Sequence, residues 1–319
     1  PRPSMTLLDL QITHKRVVAQ GIVSLELRDP QRRPLPAFTA GAHIDVHITP
    51  QLTRQYSLCN APGETDRYLL GVLLEPNSRG GSAAMHQKYA QGDTITVGVP
   101  RNNFPLAPAR RTLLFAGGIG ITPMLSMAEA LWAAGDDFGF AYCARSAAHA
   151  AFADRLQAAP WAARTRLHLD DGPADQRLQM ARLKDEDPAS THLYVCGPKG
   201  FIEHVCQAAR AHGWPEAHIH VEHFSAVQPA DAAALTVRIA STGQAIVIPA
   251  DQSITTALER QGVCIPVSCE QGICGTCVTR VISGEIEHHD SYFSDAERAR
   301  GDQMTPCCSR GRGTLVLDL

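Results

Sequence analysis

Four cysteines near the C-terminal end limit the possible folds of this chain more than any other group of residues: Cys269, Cys274, Cys277 and Cys307. The first three follow the spacing C-x4-C-x2-C, and the fourth comes from a distant segment. This is the spacing of a plant-type [2Fe–2S] cluster, in which thiolates act as soft ligands for iron. Gly272 and Gly275 lie in the same loop, where glycine lets the backbone wrap closely around inorganic sulfide. The spacing therefore predicts a two-iron cluster.

Two other uses of these cysteines are a disulfide and a structural zinc site. Zinc sites usually contain two short C-x2-C pairs, whereas this chain has one, formed by Cys274 and Cys277. The spacing and the loop composition together favour the cluster. Cys308 directly follows Cys307, so the residues alone leave two neighbours for the fourth position.

Length and composition exclude several classes of protein. The 319 residues suffice for two or three domains, and 44% hydrophobic with 19% charged residues is typical of a globular chain. A net charge of −3 argues against nucleic-acid binding. No apolar stretch reaches the roughly 18 residues of a membrane span, and no secretory pattern is present. Ten cysteines without a disulfide framework predict a reducing cytoplasm.

Hydrophobic periodicity divides the chain into parts. Segments of alternating polarity, separated by turn residues, lie at 22–27, 43–48, 54–59, 69–74 and 94–99. They predict an antiparallel barrel or sandwich, interrupted by one helix that begins near Ser82. Apolar strand candidates followed by helix-like stretches lie at 112–116, 138–143, 165–169 and 192–196. This alternation predicts a parallel sheet with helices on both faces.

A third part follows a stretch of small residues, 225–234, which we interpret as a linker. Residues 235–249 predict a hairpin that opens a small β-grasp-like domain. Ser253 is the expected N-cap of the next helix, which ends at Gly262. His288 and His289 are interpreted as a solvated turn.

Two motifs in the first part suit an anionic cofactor. In the segment RQYSLCN, Arg54 supplies a permanent cation, Tyr56 an aromatic face and Ser57 a hydroxyl. A strand with an exposed arginine is the alternative interpretation. In the segment SRGGSAAM, a glycine pair opens a helix, where backbone N–H groups favour a phosphate. The candidate phosphate ligands there are Arg79, Gly80, Gly81 and Ser82.

Two motifs in the second part suit a dinucleotide. The segment AGGIGITPML follows a predicted strand and precedes a helix, which is the arrangement that binds pyrophosphate. Its candidate ligands are Gly117, Gly118, Gly120 and Thr122. The segment VCGPKGF, at the end of a later strand, contains Cys196, Gly197 and Pro198. For Cys196 a small buried core residue is an equally good interpretation.

These motifs resemble those of the phthalate dioxygenase reductase and vanillate demethylase reductase family, over essentially the full chain. R-x-Y-S, G-G-x-G-x-T-P, C-G-P and C-x4-C-x2-C carry the resemblance. It implies a multidomain fold: an FMN-binding antiparallel β-barrel (1–106), an α/β NAD(H)-binding domain of ferredoxin-NADP reductase type (107–226), a linker (227–234) and a β-grasp [2Fe–2S] ferredoxin domain (235–319).

The resemblance also implies an activity. Such an enzyme takes hydride from NADH onto FMN and passes single electrons through the cluster to a terminal Rieske-type aromatic oxygenase or O-demethylase. We expect a transient complex with that partner and a monomeric reductase. Two alternatives stay open: a reductase for another acceptor, such as a cytochrome P450 or another monooxygenase, and an electron-carrier module without catalysis.

The resemblance assigns roles to individual residues. Ser57, Cys196 and Phe224 are expected beside the reacting rings. The remaining flavin contacts are expected from Arg54, Gln55, Tyr56, Gly71, Val72 and Leu73, together with the glycine-pair motif. Some relatives have a basic residue where this chain has Leu73. The pattern C-x-S-R, matched at 307–310, favours Cys307 over Cys308 as the fourth ligand.

The choice of cofactors depends partly on what is missing. We identify no aromatic platform for an adenine, and together with the resemblance this favours FMN over FAD. Near the expected adenosine ribose, residues 144–149 contain Arg145 and no acid. The resemblance implies NADH, but these residues alone leave NADPH open.

Overall fold

The structure, a computed structural model, describes residues 6–49, 52–75, 80–224 and 233–319. The described residues form two compact units, which we describe separately. The first contains the residues up to His47 together with Gln55–Glu222, and the second contains Ile48–Arg54 and His223–Leu319. In the described ranges, no helix is long and apolar enough to span a membrane.

The first sheet has six strands: β1 (Leu7–Ala19), β2 (Ile22–Arg28), β3 (His43–Thr49), β4 (Leu52–Ser57), β5 (Tyr68–Leu73) and β6 (Thr94–Gly98). Their order is β4-β3-β6-β1-β2-β5, and β1 pairs antiparallel with both β2 and β6. Alternate side chains such as Leu10, Ile12 and Leu25 are buried, as the period of a pleated strand requires. The five predicted strands are confirmed.

The long strand β1 was not singled out from the sequence. Its pairing with β2 shifts register between Ile12 and His14 and again between Val17 and Ala19. Each shift interrupts the alternation of polar and apolar residues, which is the signal that sequence reasoning uses.

Helix α1 (Gly81–Gln87) is confirmed where the sequence predicted it. Lys15 Nζ donates hydrogen bonds of 2.6 Å to the carbonyl oxygens of His86 and Tyr89 at the helix end. His86 Nε2 donates to the Val72 carbonyl oxygen at 2.9 Å. These contacts attach α1 to β1 and β5, and a cation at the C-terminal end of a helix also complements its dipole.

The second sheet is parallel and contains β7 (Arg111–Gly117), β8 (Asp137–Ala144), β9 (Thr165–Leu169), β10 (Thr191–Cys196) and β11 (Ile219–Glu222). Helices α2 (Ile121–Ala134), α3 (Ala153–Ala158) and α4 (Lys199–Ala211) connect them. The order is β11-β10-β7-β8-β9. The chain therefore runs outward from β7 in one direction and then returns to β10, so a topological switch point lies between β7 and β10.

Alternating residues of β7 enter two separate cores. Leu114 packs with Phe140 and Tyr142, whereas Leu113 and Phe115 pack in another cluster. A parallel sheet covered on both faces has this near-continuous apolar pattern, and the prediction of such a sheet is confirmed.

The third sheet lies in the second unit and contains β12 (Leu235–Ile239), β13 (Ala245–Ile248), β14 (Thr279–Glu287), β15 (Gln303–Met304) and β16 (Arg310–Leu317). Its order is β13-β12-β16-β14-β15, with helix α5 (Ile254–Arg260) and the short helix α6 (Asp295–Arg298). β12 and β16 pair in parallel, and β12 pairs antiparallel with β13. Ser253 Oγ accepts from the Thr256 N–H at 3.1 Å, which confirms the predicted N-cap.

Candidate functional site

The four spaced cysteines come together as two pairs in the second unit. The thiol of Cys269 interacts with that of Cys274, and the thiol of Cys307 interacts with that of Cys277 and with that of its neighbour Cys308. Among the described residues, no three His, Cys, Asp or Glu side chains are arranged around a single metal ion. Two pairs of thiols instead fit a two-iron cluster held by four cysteines. This donor set fits the predicted cluster.

The first pair is prepared to lose a proton. The hydrogen bond with Cys269 lowers the pKa of Cys274 to about 5, although burial acts in the opposite direction, and Thr276 adds to the lowering. Iron binds thiolates rather than thiols. The pair therefore favours the thiolate form of Cys274.

The positions of Cys307 and Cys308 differ. The Cys307 thiol interacts with Cys277 and also with Cys308. The Cys308 Sγ lies 3.4 Å from Thr305 Oγ1 and would overlap with a Cβ built on Gly272, so it also packs against the backbone of the cysteine loop. The interaction of Cys307 with Cys277 supports Cys307 as the fourth ligand.

Both glycines of the cysteine loop have a left-handed backbone, with φ of +72° at Gly272 and +70° at Gly275. A Cβ on Gly275 would overlap with the ring of Tyr292, and one on Gly272 would lie 2.8 Å from Asp290 Cα. Neither position can therefore accept a side chain without rearrangement. The cysteine loop therefore packs closely against the segment that contains Asp290 and Tyr292.

The arginine of the C-x-S-R pattern is buried. Arg310 donates to the carbonyl oxygens of Ala233 at 2.9 Å and Pro249 at 3.1 Å, and also to that of Gln252. A buried guanidinium is costly unless its N–H groups are satisfied, and these three acceptors reduce that cost. Arg310 thus joins the start of the second unit's sheet to the segment that follows Cys307.

The glycine-rich segment of the first unit lies at the switch point of the parallel sheet. Gly117 ends β7, and a turn through Gly118 and Gly120 leads into α2. A Cβ on Gly120 would overlap with the Cys196 carbonyl oxygen, so β7 and β10 approach closely only because this residue is glycine. Thr122 Oγ1 donates to the Ile119 carbonyl oxygen at 3.0 Å.

Cys196 ends β10, beside Ala116 of β7. It is fully buried, and burial raises its pKa well above the usual value. Gly197 packs against Gly117, and Pro198 is the N-cap of α4. The structure therefore brings the two predicted dinucleotide motifs together at the carboxyl ends of adjacent strands, where open α/β sheets bind nucleotides.

Arg145 is an exposed residue just after β8. The N–H groups of Asp170 and Asp171, which follow β9, donate to the carbonyl oxygens of Ala144 and Arg145 at 3.0 and 3.2 Å. The structure therefore places two exposed acidic residues beside Arg145, whereas the sequence segment 144–149 contains no acid. Sequence reasoning missed them because β9 is distant along the chain.

The strand with the R-x-Y-S motif contributes to both units. In the second unit, Arg54 Nη1 lies 3.6 Å from Glu270 Oε1 and donates to the Thr53 carbonyl oxygen. In the first unit, Gln55 Nε2 donates to Asp45 Oδ1 at 3.1 Å, and Ser57 is buried. Tyr56 is half-buried.

The predicted flavin contacts on β5 have specific neighbours in the first unit. A Cβ on Gly71 would lie 2.8 Å from Thr122 Cγ2 and 3.1 Å from the Phe152 ring, so the barrel touches the nucleotide-binding part there. Val72 is buried, and Leu73 is half-buried opposite Ile22.

The glycine pair begins helix α1, with φ of 94° at Gly80. Ser82 Oγ accepts from the Glu75 N–H at 3.1 Å, which leaves its own proton free to donate. Arg79 lies outside the described residues. Phe224 belongs to the second unit, follows β11 and is 43% exposed.

Comparisons with known proteins agree with this geometry. A 2Fe-2S iron-sulfur cluster binding domain matches residues 237–311, and an oxidoreductase NAD-binding domain matches residues 114–207. A vanillate O-demethylase oxidoreductase from a Pseudomonas strain is 49% identical over 317 residues, 98% of this chain and 100% of that protein. The chain belongs to the phthalate dioxygenase reductase and vanillate demethylase reductase family.

Solved structures of related proteins support the same family membership. One is phthalate dioxygenase reductase, described as a modular structure for electron transfer from pyridine nucleotides to [2Fe–2S]. It matches with a TM-score of 0.75 and 38% identity over 98% of both chains. An intact type IV self-sufficient cytochrome P450 monooxygenase matches with a TM-score of 0.70 and 36% identity, over 98% of this chain and 41% of that one.

Family membership confirms the predicted multidomain fold, with a β-barrel flavin domain, an α/β nucleotide-binding domain and a β-grasp ferredoxin domain. The reductase is an NADH-dependent oxidoreductase whose redox groups are FMN and a [2Fe–2S] cluster. It transfers electrons from the pyridine nucleotide to the [2Fe–2S] cluster.

One residue of the reductase was missed from the sequence. Glu222 ends β11 opposite Cys196, and its Oε2 is buried with no hydrogen-bond partner in the described part of the chain. Burial raises the pKa of this carboxyl group to about 8. Perturbed carboxyl groups of this kind cluster at functional sites. The available signal was the position of Glu222 in the sequence, two residues before Phe224, which the resemblance places beside the reacting rings.

Proposed function

We propose that this reductase delivers electrons to a Rieske-type aromatic O-demethylase. The observation that carries the proposal is full-length similarity to vanillate O-demethylase oxidoreductases, at 49% identity, combined with two thiol pairs that fit the cluster. The complex with the oxygenase is transient and the reductase is monomeric. A cytochrome P450 is the second candidate acceptor, since the chain also resembles part of a self-sufficient P450 monooxygenase.

The bound flavin supplies the conversion of a two-electron hydride donor into single-electron steps, and the cluster carries one electron at a time. We assign the cluster ligands to Cys269, Cys274, Cys277 and Cys307. The proposed domain limits are 1–106, 107–226 and 235–319. The proposed linker is 227–234, of which residues 227–232 lie outside the part of the chain that the structure describes. The six cysteines outside the proposed cluster form no disulfide in the structure, which supports a reducing compartment, and we propose that it is the cytoplasm.

We assign the nucleotide pyrophosphate to the segment Gly117–Thr122 at the start of α2, and the nicotinamide to the neighbourhood of Cys196 and Gly197. Support comes from the close approach of Gly120 to the Cys196 carbonyl oxygen, which aligns the two motifs. Glu222 and Cys196 both hold their protons at neutral pH, so they form an uncharged wall. Phe224 stays a predicted cover for the flavin.

We assign the flavin phosphate to Arg54, Arg79, Gly80, Gly81 and Ser82, with Tyr56 and Ser57 at the ring. The left-handed Gly80 and the free proton of Ser82 support a phosphate at the start of α1. Gly71 is packed against Thr122 and Phe152, so we assign it a packing role beside any contact with the flavin.

The preference for NADH over NADPH is assigned to Asp170 and Asp171. Acids near the adenosine ribose favour the free hydroxyl and disfavour an added phosphate. The backbone hydrogen bonds of these two residues to Ala144 and Arg145 support this role. Arg145 is a cation that would attract the ribose phosphate of NADPH, so we propose that it reduces the preference for NADH.

The test is reconstituted turnover. The purified reductase, NADH and an aromatic O-demethylase should form demethylated product in proportion to NADH consumed, and faster than with a cytochrome P450. Cys274→Ser should remove product formation while NADH still reduces the flavin. Cys264→Ser, at an exposed cysteine, is the matched control and should retain turnover. Equal or faster transfer to the P450 would contradict the proposed partner.

A further inference from the structure

A buried carboxylate lies beneath the cysteine loop of the second unit. The side chain of Asp290 is fully enclosed, with 0% of its surface exposed. Its Oδ2 accepts from the N–H groups of Tyr292 at 3.1 Å and Phe293 at 2.9 Å. Its Oδ1 accepts from His288 Nδ1 at 3.0 Å and from Ser309 Oγ at 3.1 Å. A buried charge with this many donors is an organised feature rather than an accident of packing.

These donors come from separate segments. Ser309 follows Cys307 and Cys308 directly, so its hydrogen bond ties Asp290 to the segment that carries the fourth thiol. On the other side, the Ser291 N–H donates to the Gly272 carbonyl oxygen at 3.0 Å, between Cys269 and Cys274. Asp290 Cα and Cβ each lie 2.8 Å from the position of a Cβ on Gly272. One residue therefore contacts both segments that supply thiols.

The surrounding groups hold this carboxylate charged. Burial acts to raise its pKa, but hydrogen bonds from the Phe293 N–H, His288 and Ser309 keep it below the usual value. Arg298 donates to the Asp290 carbonyl oxygen, and its Nη2 lies 3.9 Å from Oδ2. His288 is 11% exposed and packs edge-on against Phe293. The prediction that His288 and His289 form a solvated turn is therefore wrong for His288, which this network encloses, whereas His289 is exposed.

We propose that Asp290 is a positioning residue for the iron–sulfur centre: its carboxylate fastens the 269–277 loop to the Cys307 segment and sets the reduction potential of the cluster. The proposal rests on the proposed ligand assignment. The proposed ligands come from the 269–277 loop and from the Cys307 segment. They can hold two irons at a fixed spacing only if the two segments stay in the same position relative to each other. A fixed negative charge beneath an anionic cluster also disfavours further reduction, since charge and hydrogen bonds near the sulfurs tune such centres.

The experiment compares Asp290→Asn with Asp295→Asn in the full-length reductase. Both variants remove one acidic charge, but Asp295 is fully exposed, at 104% of its side-chain reference area. The first measurement is the midpoint potential of the cluster by redox titration. Asp290→Asn should shift it to a more positive value, and Asp295→Asn should leave it unchanged. A general loss of stability does not move a potential, so this reading separates positioning from structure.

The second measurement is the rate of iron release to a chelator. Loss of hydrogen bonds to a buried charged acceptor should accelerate release about tenfold in Asp290→Asn. Ser309→Ala removes one donor without a charge change, and it should accelerate release to a smaller extent. If Asp290→Asn does not fold, the iron release rate of Ser309→Ala tests whether the hydrogen bonds of Asp290 stabilise the cluster. NADH-dependent flavin reduction should stay intact in every variant.

Failure of this inference is distinct from failure of the proposed function. If the natural protein contains no two-iron cluster, then the proposed function fails. If the cluster is present but Asp290→Asn keeps both the natural potential and the natural release rate, then Asp290 has no positioning role. The same conclusion follows if Asp295→Asn shifts the potential equally, because the effect is then one of overall charge.

Discussion

Cys196 and Glu222 lie directly opposite each other at the carboxyl ends of the parallel strands β10 and β11. Burial raises the pKa of both groups, and the proximity of Glu222 raises that of Cys196 further. A thiol and a carboxylic acid that both keep their protons form an uncharged surface at the switch point of the sheet. At the nicotinamide position that we propose, the ring would meet no fixed negative charge from these two groups.

The pair predicts how stability depends on pH. Since the pKa of Glu222 is about 8 in the folded protein, the folded state retains a proton that the unfolded chain releases near its ordinary pKa. The free energy of unfolding should therefore fall as pH rises from about 4.5 to about 8. Glu222→Gln should remove about 2 to 4 kcal/mol of this decline. Urea unfolding of the nucleotide-free protein at pH 5.5 and 8 measures it.

The control for this measurement is Glu203→Gln, at an exposed carboxyl group 3.9 Å from Lys199. Its pH profile should match that of the natural protein. Parallel profiles for the natural protein and Glu222→Gln would show that Glu222 is ionised in the folded state.

Gly120→Ala should weaken nucleotide binding. Its Cβ would overlap with the Cys196 carbonyl oxygen and lie 2.7 Å from Gly197 N, both backbone atoms that cannot rotate away. The two motifs must then separate, at a cost of about 1 to 3 kcal/mol. Calorimetric titration with NAD⁺ and thermal unfolding should both show the loss.

Gly200→Ala is the matched control for the glycine substitution. A Cβ at Gly200 meets no atom within 4 Å, and the residue lies in α4. Alanine should there stabilise the protein slightly, by about 0.5 to 1 kcal/mol. Equal effects of the two substitutions would argue against a close approach at Gly120.

Cys307→Ser should abolish the cluster, whereas Cys308→Ser should retain it. The Cys307 thiol interacts with Cys277 as well as with Cys308, whereas the Cys308 thiol also donates to the Thr305 carbonyl oxygen, to which a serine hydroxyl can donate in its place. Iron content and the electron paramagnetic resonance signal of the reduced protein measure the outcome. The reverse result would identify Cys308 as the ligand.

NADH should be preferred over NADPH by at least about tenfold in kcat/KM, which corresponds to about 1.4 kcal/mol. Asp170→Asn and Asp171→Asn should reduce this preference, because each removes a charge that repels the ribose phosphate. Arg145→Ala should increase it. If NADPH is the better substrate and loses its advantage in Arg145→Ala, then the arginine binds the phosphate and the acids do not select.

Local patterns were sufficient to predict much of the architecture. Period-two alternation located β2 to β6, and apolar runs located β7 to β10, because burial of one or both strand faces leaves a direct mark on residue order. The pattern failed at β1, where two register shifts interrupt the alternation. The glycine and cysteine motifs could also be identified from the sequence, because each is a short segment whose function requires a particular backbone conformation.

The residue order was enough to identify the set of cysteines, the candidate phosphate-binding glycines and the family to which the chain belongs. Which groups share an environment became known from the folded structure. It placed Glu222 beside Cys196, brought Asp170 and Asp171 to Arg145, and enclosed His288 with Asp290 beneath the cysteine loop. These relationships join residues that are distant along the chain, and burial of a charge depends on what surrounds it, which no local pattern of residues records.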